Sequence, residues 1–478
     1  MKYTAQYGIL KSRLGRLGAV SAASIFCLIS LLPALVADGK VVYGKVTYAY
    51  GAFTPWNAPQ PSTRIYIAPR TDGKPGSGIP SDPFDASSSA KFDALIQRCS
   101  HNAAIYYAPG VYYTMGWQPG HPQTANPNCY QIGAGIDQTI VRIDPAALLE
   151  AGGNGTISIF SCDYNQRADG FEVWNMTLDG NANNNTQFKS GTGNISLISC
   201  QGNDILVQGD KLMGWGTKSG ECFVVFIMPS AISFSGLTFS HCHVQNCLFT
   251  LPATGNLDGC SICCVAGDNK VTVVDYQILN NQFINVTSDF QYSHALCGFF
   301  QQGNLVNGCA TGWYAEPGAG SSVGCNNLAP IVIDSNTFIN VLFVAQMDFH
   351  TNGLLGPVTF SNNIVRLPNG YNIYSVGVNL CGQRPTNIPA MPSITVSGNE
   401  FMGLNQLSTQ NSYYRCVDLS GFGNSEVVGH LNLTGNRVDN SLPSGREFVV
   451  DYYEIPSVTA SGNIYANGVT VPVTYTNQ

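Results

Sequence analysis

The chain has 478 residues, of which 11% are charged and 44% hydrophobic, and its formal net charge is −7. An acidic chain of this kind argues against nucleic acid as a partner. It also disfavours strongly anionic substrates unless a local basic patch or a bound cation compensates.

Residues 1–37 read as a secretory signal. Lys2, Lys11, Arg13 and Arg16 form a basic leader, Leu17 to Val36 an apolar core, and a cut before Asp38 follows Ala37. Removing this leader takes away four positive charges and no acid, leaving a net charge of −11. An uncleaved anchor is the rival reading. No later stretch is long and apolar enough to span a membrane. The mature chain is expected to be secreted, extracellular or periplasmic, or at the cell surface, with no membrane association after the leader is cut. Export permits disulfides. The chain holds 16 Cys, with no zinc-type spacing around Cys260, Cys263 and Cys264. They are expected to be mainly small buried residues plus a few bridges.

Residues 38–70, rich in Tyr and Pro, predict an extended segment packed along the outside, and residues 71–82 a loop. Ser87 to Cys99 predicts a helix. Ser87, Ser88 and Ser89 offer the N-cap, and Phe92, Leu95, Ile96 and Cys99 fall on one apolar face. Strands follow over Ala104–Ala108 and Val111–Thr114, around a Pro109-Gly110 turn, and again near Ile136–Arg142. Gly133-Ala134-Gly135 lacks the third Gly and the following helix of a dinucleotide loop, and reads as a turn.

From Val271 to Asn467 the chain repeats one short phrase: apolar residues at alternate positions, two spacers, an Asn, then another apolar residue. The copies are Ile278–Phe283, Ile333–Phe338, Phe360–Val365, Val396–Phe401, Leu433–Val438 and Ala460–Tyr465. Their Asn residues are Asn281, Asn336, Asn363, Asn399, Asn436 and Asn463. The first gap, of 55 residues, reads as two copies of about 27 with a degenerate one near Gly308. Weaker copies upstream put Met176, Asp210 and Cys242 in the Asn slot. Such a period signals a solenoid, and the alternation signals a strand in each repeat. The fold expected is all-β: a right-handed parallel β-helix over residues 71–478. The Asn sits at a bend, tolerating left-handed backbone and bonding the Asn above and below. A solenoid end needs a cap, for which the helix near 87–99 is the candidate.

The order of the "KFDALI" helix, "IYYAPGVYYT" and "IGAGIDQTIVRI" resembles the N-terminal module of pectate-lyase-like right-handed β-helix proteins. The phrase "GWGTKSGECFV" at Gly214–Val224 resembles a group of poorly characterised secreted bacterial members. The resemblance implies the fold more than the chemistry, because that superfamily holds lyases, hydrolases, epimerases, phage tailspikes and non-enzymes.

Stacked coils turn residues one coil apart into neighbours at about 5 Å, and glycoside hydrolysis needs two carboxyl groups about 5 to 9.5 Å apart. Asp289, Glu316 and Asp348 are spaced by 27 and 32 residues, near one coil each, and are expected to share a column. His350 follows Asp348 and is expected to orient it; Glu316 or Asp348 is the proton donor, the other the base or nucleophile. Trp215, Tyr292, His294, Trp313 and Tyr314 are candidate sugar-binding residues. A second constellation joins Trp215, Lys218 and Glu221 to His241 and His243. Those two imidazoles, two apart on a strand, suit a metal site, although a ring tucked in a turn is the simpler reading. No Lys or Arg lies between Lys270 and Arg366, so the basic side chain that calcium-dependent pectate lyases use is missing from the central coils. The adjacent aspartates and Gly-His-Gly of polygalacturonases are missing too. No cofactor is assigned, and calcium stays open. The expected function is cleavage of an extracellular polysaccharide by a hydrolase or lyase. The alternative is a non-catalytic glycan-binding or adhesive surface protein.

Overall fold

The computed structural model describes residues 40–476 except for 44–45, 57–58, 118–123, 149–155, 163–165, 190–193, 218–222, 228–236, 254–259, 266–271, 287–290, 295, 309–310, 316–329, 342, 349–355, 367–374, 382–390, 404–413, 421–427 and 440–446. The leader therefore lies outside the described residues.

The chain is a right-handed parallel β-helix. Among the described residues, three long sheets of 11, 14 and 12 strands, here A, B and C, run side by side along it. One coil shows the plan. Leu296–Gln302 lies in sheet B, Leu305–Asn307 in sheet C, Thr311–Ala315 in sheet A, and Ile331–Asp334 returns to sheet B beside the first strand. Parallel connections of this sort take the right-handed course. Alternation along each strand sends one set of side chains inward. Val244, Ile278, Gln301, Ile333, Phe360, Val396 and Leu433 stand in register on successive coils of sheet B, and all but Gln301 are apolar. Rings stack in the same way, Phe249 on Phe283 at 4.5 Å and 17°.

The B-to-C corner is held by a ladder of buried asparagines. Asn281, Asn304, Asn336, Asn363, Asn399, Asn436 and Asn463 each lie beside the next, and each Oδ1 from Asn304 onward accepts both the backbone and the side-chain N–H of the Asn before it. Each Nδ2 also donates to a strand carbonyl of the preceding coil, as Asn281 does to Val244 O. These bonds satisfy backbone groups that the corner would otherwise bury unpaired. Three sequence expectations are corrected here. The rung inside the 55-residue gap is Asn304, not a slot near Gly308, which stacks instead with Asn285 and Asn340 where sheet C strands end. The upstream slot belongs to Cys247, whose N–H donates to Asn281 Oδ1, rather than to Cys242. The left-handed residue is the one before the Asn: Asn280, Gly303, Ser335, Asn362, Gly398, Gly435 or Gly462. At Gly303 a Cβ would meet Asn280 Oδ1, so a larger residue there would have to displace that side chain as well as adopt left-handed backbone.

A second left-handed column runs through sheet B, just ahead of the first strands and within the later ones: Asn102, Asn128, Gly170, Asp204, His241, Asp275 and Gly298. Their strands pair so that each residue flanks the next.

At the N-terminal end the helix spans Ser89–Ile96, with Ser88 as N-cap accepting from Lys91 N–H. Its apolar face is buried, Phe92 lying against Tyr107 and Tyr112. A disulfide joins Cys99, just past the helix, to Cys129 in sheet B. Among the described residues Cys162, Cys200, Cys242, Cys247 and Cys416 are buried; burial pushes the Cys242 thiol up to about 12.

The lead-in segment begins with an antiparallel hairpin, Lys40–Tyr43 with Val46–Ala49. It then crosses the outer face of sheet B: Tyr50 meets Tyr66, Phe53 meets Tyr130 and Trp174, and Trp56 meets His243. It does not stay outside throughout. Thr63–Ala68 pairs with Ala103–Tyr107 as a strand of sheet B, so the coils start ahead of residue 71.

Candidate functional site

The three sides of the helix are connected very differently. Sheets B and C meet at a two-residue corner in every coil from Leu279 to Ile464. The strands of sheet A are flanked by the long connections: 316–330, 349–357, 382–393 and 420–430 leave it, and 367–374, 403–413 and 439–447 arrive at it. Long loops on a regular scaffold are where binding residues concentrate.

Along sheet A one column runs Tyr292, Tyr314, Gln346, Asn379, Asp418. Gln346, Asn379 and Asp418 are half-buried, whereas Ala345, Met347, Val378 and Val417 beside them are buried. Gln346, Asn379 and Asp418 therefore belong to the outer face. Asp418 is held by Arg415 Nη1 at 2.7 Å and by the Ser420 hydroxyl at 2.6 Å.

Five of the residues singled out from the sequence map to this sheet. Tyr292 and His294 lie in Gln291–His294, Trp313 and Tyr314 in Thr311–Ala315, and Asp348 ends Phe343–Asp348, paired with Cys381. Asp289, Glu316 and His350 lie outside the described residues. The ladder joins Tyr292 to Tyr314, and Ala315 to Met347 one residue ahead of Glu316 and Asp348. Its offset between the first two strands is the 22 residues from Tyr292 to Tyr314, not the 27 that grouped Asp289 with Glu316. Trp313 pairs with Ala345 and so stands in the column of Ala345, Val378 and Val417 rather than beside Tyr314.

Trp215 requires a correction. It is fully buried in the core and presents no ring to a substrate; an aromatic beside a Gly turn signals a surface platform and a core plug equally well. Lys218 and Glu221 lie outside the described residues.

His241 and His243 occupy a cluster that the sequence reading only half anticipated. His241 is left-handed, and its Nδ1 lies 2.6 Å from Oδ2 of Asp275 on the next coil. Gln277 donates to the other Asp275 oxygen at 2.6 Å. Burial works against ionisation of Asp275, but hydrogen bonds from Gln277 and His241 outweigh it and hold the carboxyl below its ordinary value. Asp204 flanks His241 on the preceding coil, and desolvation raises its carboxyl. His243 is buried beneath Trp56; desolvation lowers its imidazole to about 4. Glu172, two coils back in the His243 column, accepts from Trp56 N–H at 3.1 Å and Trp174 Nε1–H at 2.8 Å. Desolvation raises it to about 7. Among the described residues no group of three His, Cys, Asp or Glu side chains is placed to hold a metal ion. Asp204, Asp275 and Glu172 were missed because their columns form only once the register is known. The available signal was the recurrence of Asn and Gly one coil apart at the positions His241 interrupts.

No protein-family model matches the chain, and no curated protein matches it. Among solved structures it is similar to a family 28 exopolygalacturonase of Yersinia enterocolitica, with 11% identity and TM-score 0.47 over 88% of this chain and 78% of that one. It is similar to an exopolygalacturonase of Thermotoga maritima, with 12% identity and TM-score 0.46 over 88% and 93%. The mannuronan C-5 epimerase AlgE4 A-module of Azotobacter vinelandii gives 11% identity and TM-score 0.43 over 84% and 100%. Likenesses this distant assign no activity to the chain.

Proposed function

We propose that this protein is a secreted, carbohydrate-active β-helix protein that lays a polysaccharide along the outer face of sheet A and cleaves it with Glu316 and Asp348. The observation carrying the reading is the pairing of Ala315 with Met347. If that offset holds for one further residue, Glu316 and Asp348 are neighbours on adjacent coils, separated by the strand spacing of about 4.8 Å. Retaining glycosidases hold their carboxyl groups about 5 to 5.5 Å apart, which favours hydrolysis through a glycosyl-enzyme over a water-bridged inversion. One carboxyl donates the proton to the leaving oxygen, the other attacks, and His350 orients Asp348. Tyr292, Tyr314, Gln346 and Asn379 supply the row along which sugar units lie.

A non-catalytic glycan-binding role is the second reading. It is favoured by the offset from Tyr292 to Tyr314, which takes Asp289 out of the proposed acid column and leaves one pair. One experiment separates the two. The protein is incubated with a polysaccharide panel while new reducing ends and the absorbance of unsaturated products are both followed. Reducing ends without unsaturation, lost in Glu316→Gln and in Asp348→Asn, support hydrolysis. Unsaturated product replaces it with elimination. Retention of a glycan with neither readout favours the binding role.

A further inference from the structure

We propose that the point where the lead-in segment crosses sheet B is a separate binding site for a neutral, hydroxyl-bearing saccharide. It does not depend on the sheet A reading, because it is built from other residues on another sheet.

The site has an aromatic wall and a polar floor. Trp56 is half-buried. Its backbone N–H is fixed by Glu172 Oε1, and its ring lies 4.2 Å from the His243 ring at 47°. Behind it, Trp174 Nε1–H holds the other Glu172 oxygen, and Phe53 meets Trp174 edge-on. A tryptophan supported in this way is an ordered platform for the apolar face of a sugar ring. Beside it runs the row Asp204, His241, Asp275. The His241 side chain is 51% exposed, and Asp275 orients it through Nδ1. Its Nε2 is thereby left to face a ligand hydroxyl.

The independent sign of a missing ligand is His243. The residue is 8% exposed, and its Nε2 has no hydrogen-bond partner among the described residues. That atom lies 3.8 Å from Asp275 Oδ2, beyond hydrogen-bond length. A buried polar atom left unmade costs stability, and a hydroxyl reaching both Nε2 and the carboxylate would satisfy it.

The charges select the ligand class. Asp204 and Asp275 face the site, and Arg167 is already bonded to Asp169. A uronate or phosphate is therefore repelled, while neutral hydroxyls find carboxylate acceptors and imidazole donors. His241 itself argues for function. Its φ of 57° falls in a column otherwise made of Asn, Asp and Gly, and a residue held in uncommon backbone justifies a functional hypothesis.

The test is titration calorimetry of the Glu316→Gln protein, so that cleavage does not consume the probe, with gluco-, xylo- and manno-oligosaccharides and with an oligogalacturonide. At least one neutral oligosaccharide is expected to bind, and Trp56→Ala and His241→Asn are each expected to weaken it about tenfold. Asn accepts left-handed backbone, so His241→Asn keeps the fold and removes only the imidazole. The His243 ring signals should shift on addition of the sugar. Three results overturn the proposal: no neutral oligosaccharide binds, the oligogalacturonide alone binds, or both variants bind as tightly as the parent. Cleavage assays on Trp56→Ala and His241→Asn in the otherwise native chain keep this failure distinct from failure at sheet A.

Discussion

Asn336 Oδ1 accepts two hydrogen bonds from Asn304, one from the backbone N–H at 3.0 Å and one from the side-chain Nδ2–H at 2.8 Å. Asn336 Nδ2 also donates to Gln301 O at 2.8 Å. Removing the amide by Asn336→Ala orphans one buried donor, the Asn304 backbone N–H, and one buried acceptor, Gln301 O, while Asn304 Nδ2 keeps Ile278 O and Gln302 O. With about 1–3 kcal/mol for each unsatisfied group, discounted for relaxation, a loss of about 3 kcal/mol is expected. Urea unfolding read by circular dichroism checks it. A shift in midpoint no larger than that of an exposed control such as Asn467→Ala would show the ladder to be incidental.

This ladder also marks how far the sequence could be read. Six of its seven rungs stood out because an apolar alternation flanked each Asn. Asn304 did not, since Gln301 fills the second apolar position of its phrase and breaks the pattern while remaining buried. The parallel coils, the helix at 89–96 and the segment crossing the outside were legible because each rests on local chemistry. Columns were not. Whether Asp289 aligns with Glu316, or His241 with Asp275, depends on loop lengths that change from coil to coil, and only pairing fixes it. Trp215 failed for another reason: an aromatic residue carries no mark of which face it takes.

Asp210 occupies the ladder's upstream rung. Its Oδ1 accepts Met176 N–H at 2.9 Å, while its Oδ2 is buried without a hydrogen-bond partner among the described residues. Asn281 uses the equivalent position to donate to a carbonyl, so Asp210 performs the same role only when protonated. Burial pushes its carboxyl well above the ordinary range. A raised carboxyl binds a proton in the folded state that the unfolded chain releases near pH 4. Stability from this group is therefore full below that pH and falls as pH rises, by up to about 1.4 kcal/mol per unit. Asp210→Asn should flatten this slope and stabilise the protein at pH 7, measured as unfolding midpoints between pH 4 and 8. An unchanged slope would mean the carboxyl is ionised in the fold.

Trp215 gives a prediction of the opposite kind. Among the described residues it is one of the largest fully buried side chains, and its Nε1–H has no hydrogen-bond partner there. Trp215→Phe should be tolerated, because no bond is lost, whereas Trp215→Ala leaves a cavity and should cost about 3–5 kcal/mol. Neither should change saccharide affinity under conditions where the protein stays folded. Calorimetric titration of Trp215→Phe beside Trp56→Ala tests this, and a weakened affinity in Trp215→Phe would return the ring to the binding surface.

Glu172 links the lead-in segment to sheet B, and its protonation should be visible from the rings around it. Desolvation raises its carboxyl to about 7, despite the opposing hydrogen bonds from Trp174 and Trp56. The ordinary glutamate value is 4.5, so between there and about 7 the folded chain holds a proton that the unfolded chain has lost. This contribution to stability is complete below the lower value and disappears as pH rises through the upper one. Its size is on the order of 3 kcal/mol. Two observations should coincide. Unfolding midpoints should decline across that window, and Trp emission should titrate near pH 7, because Trp56 and Trp174 both bond this carboxyl. Glu172→Gln keeps an oxygen acceptor but cannot ionise, so both transitions should vanish from it while the Asp210 slope persists. If the emission change survives in Glu172→Gln, another group titrates beside the tryptophans, and Glu172 does not govern how the segment is held.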